Sequence, residues 1–173
     1  GDARESEAGE QAVRDANQNH MILRTSWVFS AVGNNFVTTM IRLAATEAKL
    51  NVVDDQLGGP TSSIGISITL LELVRIYLER GELNWGTYHF SGQPFVSWYD
   101  FSKEIFKHAF ELGVITTIPE VIPVDSNFFS SVAKRPINSR LSMNKLTDRF
   151  FIEPEDWVES LRSTCQEITD GTI

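Results

Sequence analysis

The stretch HMILRTSWVFSAVGNNFVTTMIRLAATEAKLNVVDDQ, residues 20–56, indicates the fold class of this chain. It opens with a short apolar run rich in β-forming residues, which predicts a buried strand at 21–24. Apolar residues then recur at helical spacing, at Phe36, Met40, Leu43 and Ala44. Asn34 or Asn35 is a suitable N-cap for this helix. A second short strand is predicted in LNVVDDQ, so the stretch has the strand–helix–strand order of an α/β protein.

The rest of the chain continues this alternation of strands and helices. An acidic helix is predicted at 5–19, and an amphipathic helix at 64–80, after the turn signal LGGPT, is ended by Gly81. The predicted strand GTYHFSG precedes a helix that Ser97 caps, and EVIPVD is predicted to form a small strand. SMNKLTDRF is predicted to be a short helix, and EPEDWVESLRSTCQEI the last helix, with Pro154 in its first turn. The predicted fold class is therefore α/β with at least partly parallel strands.

Composition and charge exclude several classes of protein. The 173 residues are 42% hydrophobic and 22% charged, which is ordinary for a globular domain with a sizeable core. No apolar run approaches the roughly 20 residues that span a bilayer, and the polar N-terminal segment is unlike a signal peptide. The formal net charge of -8 argues against binding to nucleic acid. One cysteine and scattered histidines predict neither a disulfide framework nor a zinc site, so we expect a cytoplasmic protein.

Cations of this acidic chain are concentrated around AKRPINSRL, residues 133–141. Pro136 restrains the residue before it to an extended conformation, which fixes the direction of Arg135. A guanidinium on such a backbone suits bidentate contact with phosphate, and Asn138 can contact a hydroxyl or another phosphate oxygen. The alternative is a solvated basic loop that pairs with nearby acids.

Two further segments carry candidate ligand contacts. RTSWVF ends a predicted strand with Ser26 and Trp27, and the carboxyl ends of parallel strands border the ligand crevice of open α/β sheets. Trp27 can stack on a sugar or base there, or it can belong to the core. DDQLGGPTS combines a turn with Gln56 and Thr61, and a purely structural turn is the alternative. The aromatic residues of SWYDFSKEIF are expected to serve packing.

Seven segments of this chain, taken in order, resemble the C-terminal half of the dTDP-4-dehydrorhamnose reductases, a family of extended short-chain dehydrogenases/reductases. The segments are AGEQAV (8–13), LRTSWVF (23–29), NNFVTTMIRLA (34–44), VVDDQLGGPTS (52–62), YHFSG (88–92), SWYDFSKEIF (97–106) and KRPINSRLSMNKL (134–146). Their order and spacing persist from about residue 8 to residue 162.

The resemblance implies the C-terminal part of a Rossmann-type fold: the last parallel strands with their helices and a small substrate-binding subdomain. Residues 1–62 would then complete the sheet region, and residues 63–173 would form the nucleotide-sugar-binding subdomain with the C-terminal helix. The family reduces the 4-keto group of dTDP-4-dehydro-L-rhamnose with NADPH or NADH. Its N-terminal half holds the dinucleotide, and this half is expected to be absent from the chain.

The resemblance also assigns substrate contacts. Trp27 resembles the tryptophan that lines the sugar site, while Arg135 and Asn138 match positions that contact the pyrophosphate and nucleoside in related enzymes. Asn34, Asn35 and Gln56 are further expected contacts on the substrate side. No cofactor-binding residue is assigned. Members of the family have been described with a magnesium-linked dimer contact, but no acids of this chain are assigned to Mg²⁺.

The family's catalytic residues are expected to be missing. A Tyr and a Lys precede the AGE match in the family, and the corresponding positions hold Asp2 and Ser6. A carboxylate is already ionised near neutral pH and a serine carries no charge, so neither replaces its counterpart. We therefore expect the chain alone to be inactive as a reductase. A sheet that lacks its preceding strands leaves an unpaired edge, so self-association is also expected.

Two other functions are consistent with the scaffold. A relative of the family serves as the regulatory subunit of methionine adenosyltransferase, so a non-catalytic interaction module is one alternative. Another nucleotide-sugar epimerase or dehydratase is the second. RTSWVF together with DDQLGGPT favours the reductase branch.

Overall fold

The strand–helix–strand order predicted for residues 20–56 is present in the structure, a computed structural model that describes residues 3–129 and 136–171. The helices in these ranges are α1 (Ala3–Ala16), α2 (Phe36–Ala44), α3 (Ser63–Arg80), α4 (Trp98–Glu111), α5 (Asn144–Phe150) and α6 (Trp157–Thr169). The strands are β1 (Met21–Thr25), β2 (Val28–Phe29), β3 (Lys49–Val53), β4 (Leu57–Gly58), β5 (Thr61–Ser62), β6 (Gly86–Phe90), β7 (Val96–Ser97), β8 (Glu120–Val124) and β9 (Asn138–Ser139). None of the helices described here is long and apolar enough to cross a bilayer.

Most strand pairs are parallel, which confirms the predicted fold class. β1 pairs with β6, from Met21 opposite Gly86 to Thr25 opposite Phe90, and β3 pairs with β8 in the same sense. β2 is parallel to β5. β4 lies between two strands, antiparallel to β7 on one side and parallel to β9 on the other. A helix separates the members of each parallel pair along the chain, as parallel crossovers require.

These pairs also connect the two regions that the sequence separates at residue 62. β1, β3 and β4 precede that position, and their partners β6, β8 and β9 follow it. The division into a sheet region and a substrate-binding subdomain stays a prediction.

The helix ends follow the predicted local signals. Asn35, one of the two predicted caps, accepts a hydrogen bond from the Thr38 N–H and completes a capping box at the start of α2. Ser97 caps α4 by accepting from the N–H of Asp100. Gly81 ends α3 in a left-handed conformation with φ +73°, which a residue without Cβ adopts at little cost.

The start of the last helix differs from the prediction. α6 begins at Trp157, and Pro154 lies before it rather than in its first turn. The Asp156 carboxylate accepts from the N–H of Val158 and caps the helix. The preceding acid, Glu155, accepts instead from the N–H and hydroxyl of Ser62, the last residue of β5, and lies outside the helix.

Two groups of buried side chains form the core of the described residues. The larger group joins α2, α4 and α6 to β2, β3 and the loop after α4. Its members are Phe29, Val37, Met40, Val52, Phe101, Ile105, Phe106, Ala109, Ile115, Trp157, Leu161 and Cys165. The smaller group joins α3, α5 and β6, and its members are Leu73, Ile76, Tyr88, Phe90, Met143, Leu146 and Phe150. The aromatic start of α4 packs on the larger group, as predicted. Cys165, expected to be partly buried, is fully buried.

An ion-pair cluster connects α1 to β1. The Arg24 guanidinium donates to both carboxylate oxygens of Glu10, at 2.6 and 2.7 Å, and Arg14 donates to the same carboxylate at 2.6 Å. Hydrogen bonding to Arg24 lowers the pKa of Glu10 to about 2. The acidic face of the predicted first helix is thus partly neutralised by the neighbouring strand.

Two glycine-containing loops cross at contact distance near the end of β6. A Cβ on Gly59 would lie 2.3 Å from the Gly92 carbonyl oxygen, and a Cβ on Gly92 would lie 2.1 Å from the Pro60 carbonyl oxygen. The Thr61 hydroxyl accepts from the Gly92 N–H at 3.2 Å. The loops at LGGPT and YHFSG therefore pack directly against each other. The space between their backbones admits only glycine at positions 59 and 92.

Candidate functional site

β4 is the element on which segments from three parts of the chain meet. Leu57 lies opposite Asn138 of β9, and its N–H donates to the Ile137 carbonyl at 2.9 Å. Gln56 directly precedes Leu57, so the structure brings two of the predicted contacts, Gln56 and Asn138, to neighbouring strands. Trp27 packs on the next residue of β4. The turn predicted in DDQLGGPTS therefore also contains two short strands, which the turn signals concealed.

The backbone of Trp27 is held in an unusual conformation. Its φ of +49° lies in the left-handed region, which costs a residue with a Cβ roughly 1–2 kcal/mol. The Trp27 carbonyl accepts from the Thr61 N–H at 3.1 Å, and the Ser26 hydroxyl donates to the Gly59 carbonyl at 3.3 Å. The chain after β1 is thus fixed against the GGPT loop, which offsets the local strain.

The indole ring of Trp27 packs between two neighbours. It stacks on Trp98 with ring centroids 3.5 Å apart and an interplanar angle of 10°. A Cβ on Gly58 would lie 2.4 Å from Cε2 of the same ring, 2.7 Å from Nε1 and 2.8 Å from Cζ2. The sequence left two alternatives open for this ring, stacking on a ligand and packing in the core. In the structure, the stacking partner is another side chain, Trp98. The ring nevertheless stays half-buried rather than fully buried.

Two polar groups near β4 are available for a ligand. Within the described residues, neither the Trp27 indole N–H nor the Gln56 side-chain amide has a hydrogen-bond partner. Gln56 is only 9% exposed, so its amide lies in a narrow opening rather than on an open surface. The amide of Gln56 can both donate to and accept from a ligand.

The start of α2 lies beside the tryptophan stack. Phe36 packs on Trp98 with ring centroids 4.5 Å apart. The Asn35 side chain is used by the fold, since it accepts from Thr38 and donates to the Ser30 carbonyl at 3.0 Å. Asn34 is exposed and accepts from the Thr39 hydroxyl at 3.3 Å. Of the two predicted contacts, Asn34 therefore keeps the more accessible amide.

Part of the basic segment lies outside the described residues, including Arg135. The described part of this segment begins at residue 136. Arg140 donates from Nε to the Asn138 side-chain oxygen at 2.9 Å, and Lys145 donates to the Thr87 carbonyl at 2.8 Å and lies over the Tyr88 ring. These two cations are thus engaged within the fold by an amide oxygen and a backbone carbonyl.

Two aspartates that sequence reasoning did not single out hold the loops around β4. Asp54 accepts from the Ser97 hydroxyl at 2.6 Å, next to the stacked Trp98. Asp55 accepts from both the N–H and the hydroxyl of Ser126, at 3.1 and 2.7 Å. The signal was present as the acid pair before Gln56, but its partners are distant in sequence. These contacts position the segment that carries Gln56.

The residues present do not fit a dinucleotide or a metal. The sequence has no G-x-G-x-x-G, the motif whose glycines let a backbone approach a pyrophosphate. Among residues 3–129 and 136–171, no three His, Cys, Asp or Glu side chains are grouped to hold a metal ion. Neither a dinucleotide nor a metal ion is therefore given a role in this site, and no residues are assigned to Mg²⁺.

The Tyr/Lys spacing of short-chain reductases does occur once in the sequence, at Tyr99 and Lys103. The structure places it on α4, with the ammonium 4.8 Å from the Tyr99 ring centroid and bonded to Asp100 at 3.3 Å. This pair follows the AGE segment instead of preceding it. Of the two positions that match the family's pair, Ser6 lies in α1 and Asp2 lies outside the described residues.

Parallel strands joined by helices, with polar groups gathered beside a short central strand, define an α/β ligand-binding domain. The family described as RmlD substrate binding domain matches residues 3–170, and the chain belongs to this family. The fold and the family agree with the predicted C-terminal part of a Rossmann-type protein.

Several of the similar proteins are dTDP-4-dehydrorhamnose reductases. One from Aggregatibacter actinomycetemcomitans is 41% identical over 155 residues, which cover 90% of this chain and 53% of the relative. The crystal structure of the Bacillus anthracis enzyme in complex with NADP superposes with a TM-score of 0.77 at 34% identity, covering 91% of this chain and 51% of that one. The Clostridium acetobutylicum structure gives 0.74 at 37% identity, with 90% and 51% coverage. The chain spans about half the length of the curated relatives it matches.

Proposed function

We propose that this chain is the nucleotide-sugar-binding portion of a dTDP-4-dehydrorhamnose reductase. The whole protein would reduce dTDP-4-dehydro-L-rhamnose to dTDP-L-rhamnose with NADPH or NADH, in the cytoplasm. The observation that carries this proposal is the meeting of three segments at β4: the one with Trp27, the one with Gln56 and the one with Asn138. All three belong to the motifs that resemble the reductase family.

The proposed contacts divide by chemistry. Trp27 and Gln56 supply neutral polar groups beside β4, suited to the hydroxyl and carbonyl oxygens of a sugar. Arg135 and Asn138 lie three residues apart on the basic segment. They would bind the diphosphate and the nucleoside. Asn34 would contact the ligand from the start of α2. Asn35 would act mainly by fixing that loop, since its amide caps the helix.

The hydride donor is proposed to bind to a part of the reductase other than residues 1–173. The proposal rests on the missing glycine-rich fingerprint and on Ser6 and Asp2 at the positions of the family's Lys and Tyr. The chain alone would then bind a dTDP-sugar without reducing it. Mixing the chain with NADPH and dTDP-4-dehydro-L-rhamnose should leave the nicotinamide absorbance unchanged, whereas a steady decrease would contradict this point.

Calorimetric titration of the chain with dTDP tests the proposed function. Replacement of Arg135 by Ala should weaken binding by about 1.5–3 kcal/mol, the contribution of a charge-assisted hydrogen bond. Arg162→Ala is the matched control. Arg162 is 62% exposed on α6, so its replacement removes the same charge from another part of the surface. Absence of heat with the unaltered chain, or equal weakening in both variants, would contradict the proposal.

Self-association of the isolated chain is also proposed, through the outer face of α3. Ile68, Leu71 and Leu78 are 62%, 70% and 75% exposed on a helix predicted to be amphipathic. An open apolar cavity of about 740 Å³ lies between this helix and β1. A second copy of the chain would cover both surfaces and remove this apolar area from water.

Light scattering of the chain over a range of concentrations tests this point. A mass above that of one chain is expected, and Leu71→Glu should return it to the monomer. Ile118→Glu, at another exposed apolar position, should not. A monomeric mass at high concentration would contradict self-association.

A further inference from the structure

We propose that Trp98 and Gly58 are positioning residues that hold Trp27 so that it meets the ligand with its ring edge and N–H rather than with its face. The inference rests on the proposed function, because it concerns how the same site recognises the sugar. It assigns a role to two residues that the sequence indicated only as packing and as part of a turn.

The first step concerns the two faces of the Trp27 ring. A Cβ on Gly58 would lie closest to Cε2, at 2.4 Å, and nearly equally far from Nε1 and Cζ2, the two atoms bonded to Cε2 on its outer side. Only a point directly over the ring plane has these three distances, so Gly58 lies against one face. Trp98 is nearly parallel to the same ring at 3.5 Å and cannot share that space, so it covers the opposite face.

The second step concerns what remains of the ring for a ligand. With both faces covered, a sugar or base has no surface on which to stack. The perimeter remains, and the indole N–H has no acceptor among the described residues. The ring is half-buried, so part of this perimeter faces solvent. The group offered to a ligand is therefore a hydrogen-bond donor of fixed direction, which suits a hydroxyl or carbonyl oxygen of the sugar.

The third step concerns how the direction is fixed. The left-handed backbone of Trp27 is held by its carbonyl bond to Thr61, and the ring is held by the Trp98 and Gly58 contacts. Any side chain at position 58 would occupy the space of the ring, so a glycine is needed there. Gln56 lies two residues earlier on the same segment, so β4 positions both the amide and the indole donor.

The test uses dTDP and dTDP-L-rhamnose as separate probes of the chain. Trp27→Phe keeps an aromatic face but removes the N–H, and should weaken dTDP-L-rhamnose binding about tenfold, as expected for one hydrogen bond. Gly58→Ala and Trp98→Leu should weaken it to a similar extent, while Trp98→Phe should restore most of the binding. None of these variants should change dTDP binding. In the Trp27→Phe background, Gly58→Ala should cause no further loss.

A spectroscopic readout follows the stack directly. Two indoles stacked in contact give an exciton couplet in the far-ultraviolet circular dichroism when their transition dipoles are skewed, and this signal should disappear in Trp98→Leu and diminish in Gly58→Ala. Trp85→Phe is the matched control, because Trp85 packs on Tyr77 away from the stack and should change neither the couplet nor the binding.

The outcomes separate the inference from the function on which it rests. A chain that binds neither dTDP nor dTDP-L-rhamnose overturns the proposed function and the inference with it. If dTDP-L-rhamnose binds and Trp27→Phe, Gly58→Ala and Trp98→Leu bind it equally well, the positioning role is wrong. The same holds if these variants weaken dTDP and dTDP-L-rhamnose to the same extent, since that would indicate a merely structural effect.

Discussion

Replacement of Glu155 by Gln should destabilise the chain far more than its position in a surface loop suggests. Its carboxylate accepts from the Ser62 N–H, from the Ser62 hydroxyl at 2.7 Å and from the Ser160 hydroxyl at 2.9 Å. It also lies against Gly65 in the first turn of α3, where a negative charge is favourable. The change leaves one neutral amide oxygen to accept from donors that two charged oxygens served, at about 1–3 kcal/mol, and removes a helix-terminus interaction of about 0.3–1 kcal/mol. The expected loss is therefore about 1–4 kcal/mol.

Urea unfolding at neutral pH, followed by far-ultraviolet circular dichroism, measures this loss. Glu153→Gln is the matched control, since it removes the same charge from an exposed side chain of the same loop and should change stability by less than about 0.5 kcal/mol. Ser160→Ala should give an intermediate loss, because it removes one of the donors. If Glu155→Gln is no more destabilising than Glu153→Gln, the network does not connect the last helix to α3 as described.

Three further predictions concern the rest of the fold. Gly92→Ala should destabilise the chain strongly in urea unfolding, because its Cβ would lie 2.1 Å from a backbone oxygen, whereas Gly9→Ala, with nothing within 4 Å, should be neutral or stabilising by up to about 1 kcal/mol. Hydrogen bonding to Arg24 lowers the pKa of Glu10 from 4.5 to about 2, so the stability it contributes is present above pH 4.5 and lost as the pH falls toward 2. Glu10→Gln should remove this part of the acid dependence, and an unchanged acid limb would contradict it. Burial raises the pKa of Cys165 from 9.0 to about 11, so its contribution is present below pH 9 and lost between pH 9 and 11. A thiol reagent at pH 8 should therefore react only after unfolding, and rapid reaction of the native chain would count against the burial.

Elements with local signals could be predicted from the sequence. α2 and α4 combine apolar residues at helical spacing with caps at Asn35 and Ser97, and Gly81 marks the end of α3. The parallel sense of the pairs β1–β6 and β3–β8 follows from the α/β alternation, but which strands pair does not. The start of α6 could not be predicted, because Glu155 bonds to Ser62, which is remote in sequence. The two-residue strands were hidden for a similar reason, since a partner far along the chain defines each of them.

For the candidate site, residue type was more informative than environment. Trp27, Gln56 and Asn138 were recognised as ligand-binding types, and the structure brings their segments together. Trp98 was expected to serve packing, which is correct, but no local pattern indicates that its partner is Trp27. The contact that makes Gly58 necessary is likewise invisible in LGGPT, because the ring that fills its missing Cβ comes from the end of another strand.

The larger core has a consequence for the order in which the chain acquires its structure during synthesis. α6 supplies Trp157, Leu161 and Cys165 to the same apolar group that α2 and β3 enter much earlier in the chain. On the ribosome, these early elements therefore stay exposed until α6 emerges, and the interior closes only then. A chain that stops before α6 would lack three members of this apolar group, and chaperones or proteases would bind the surface left uncovered.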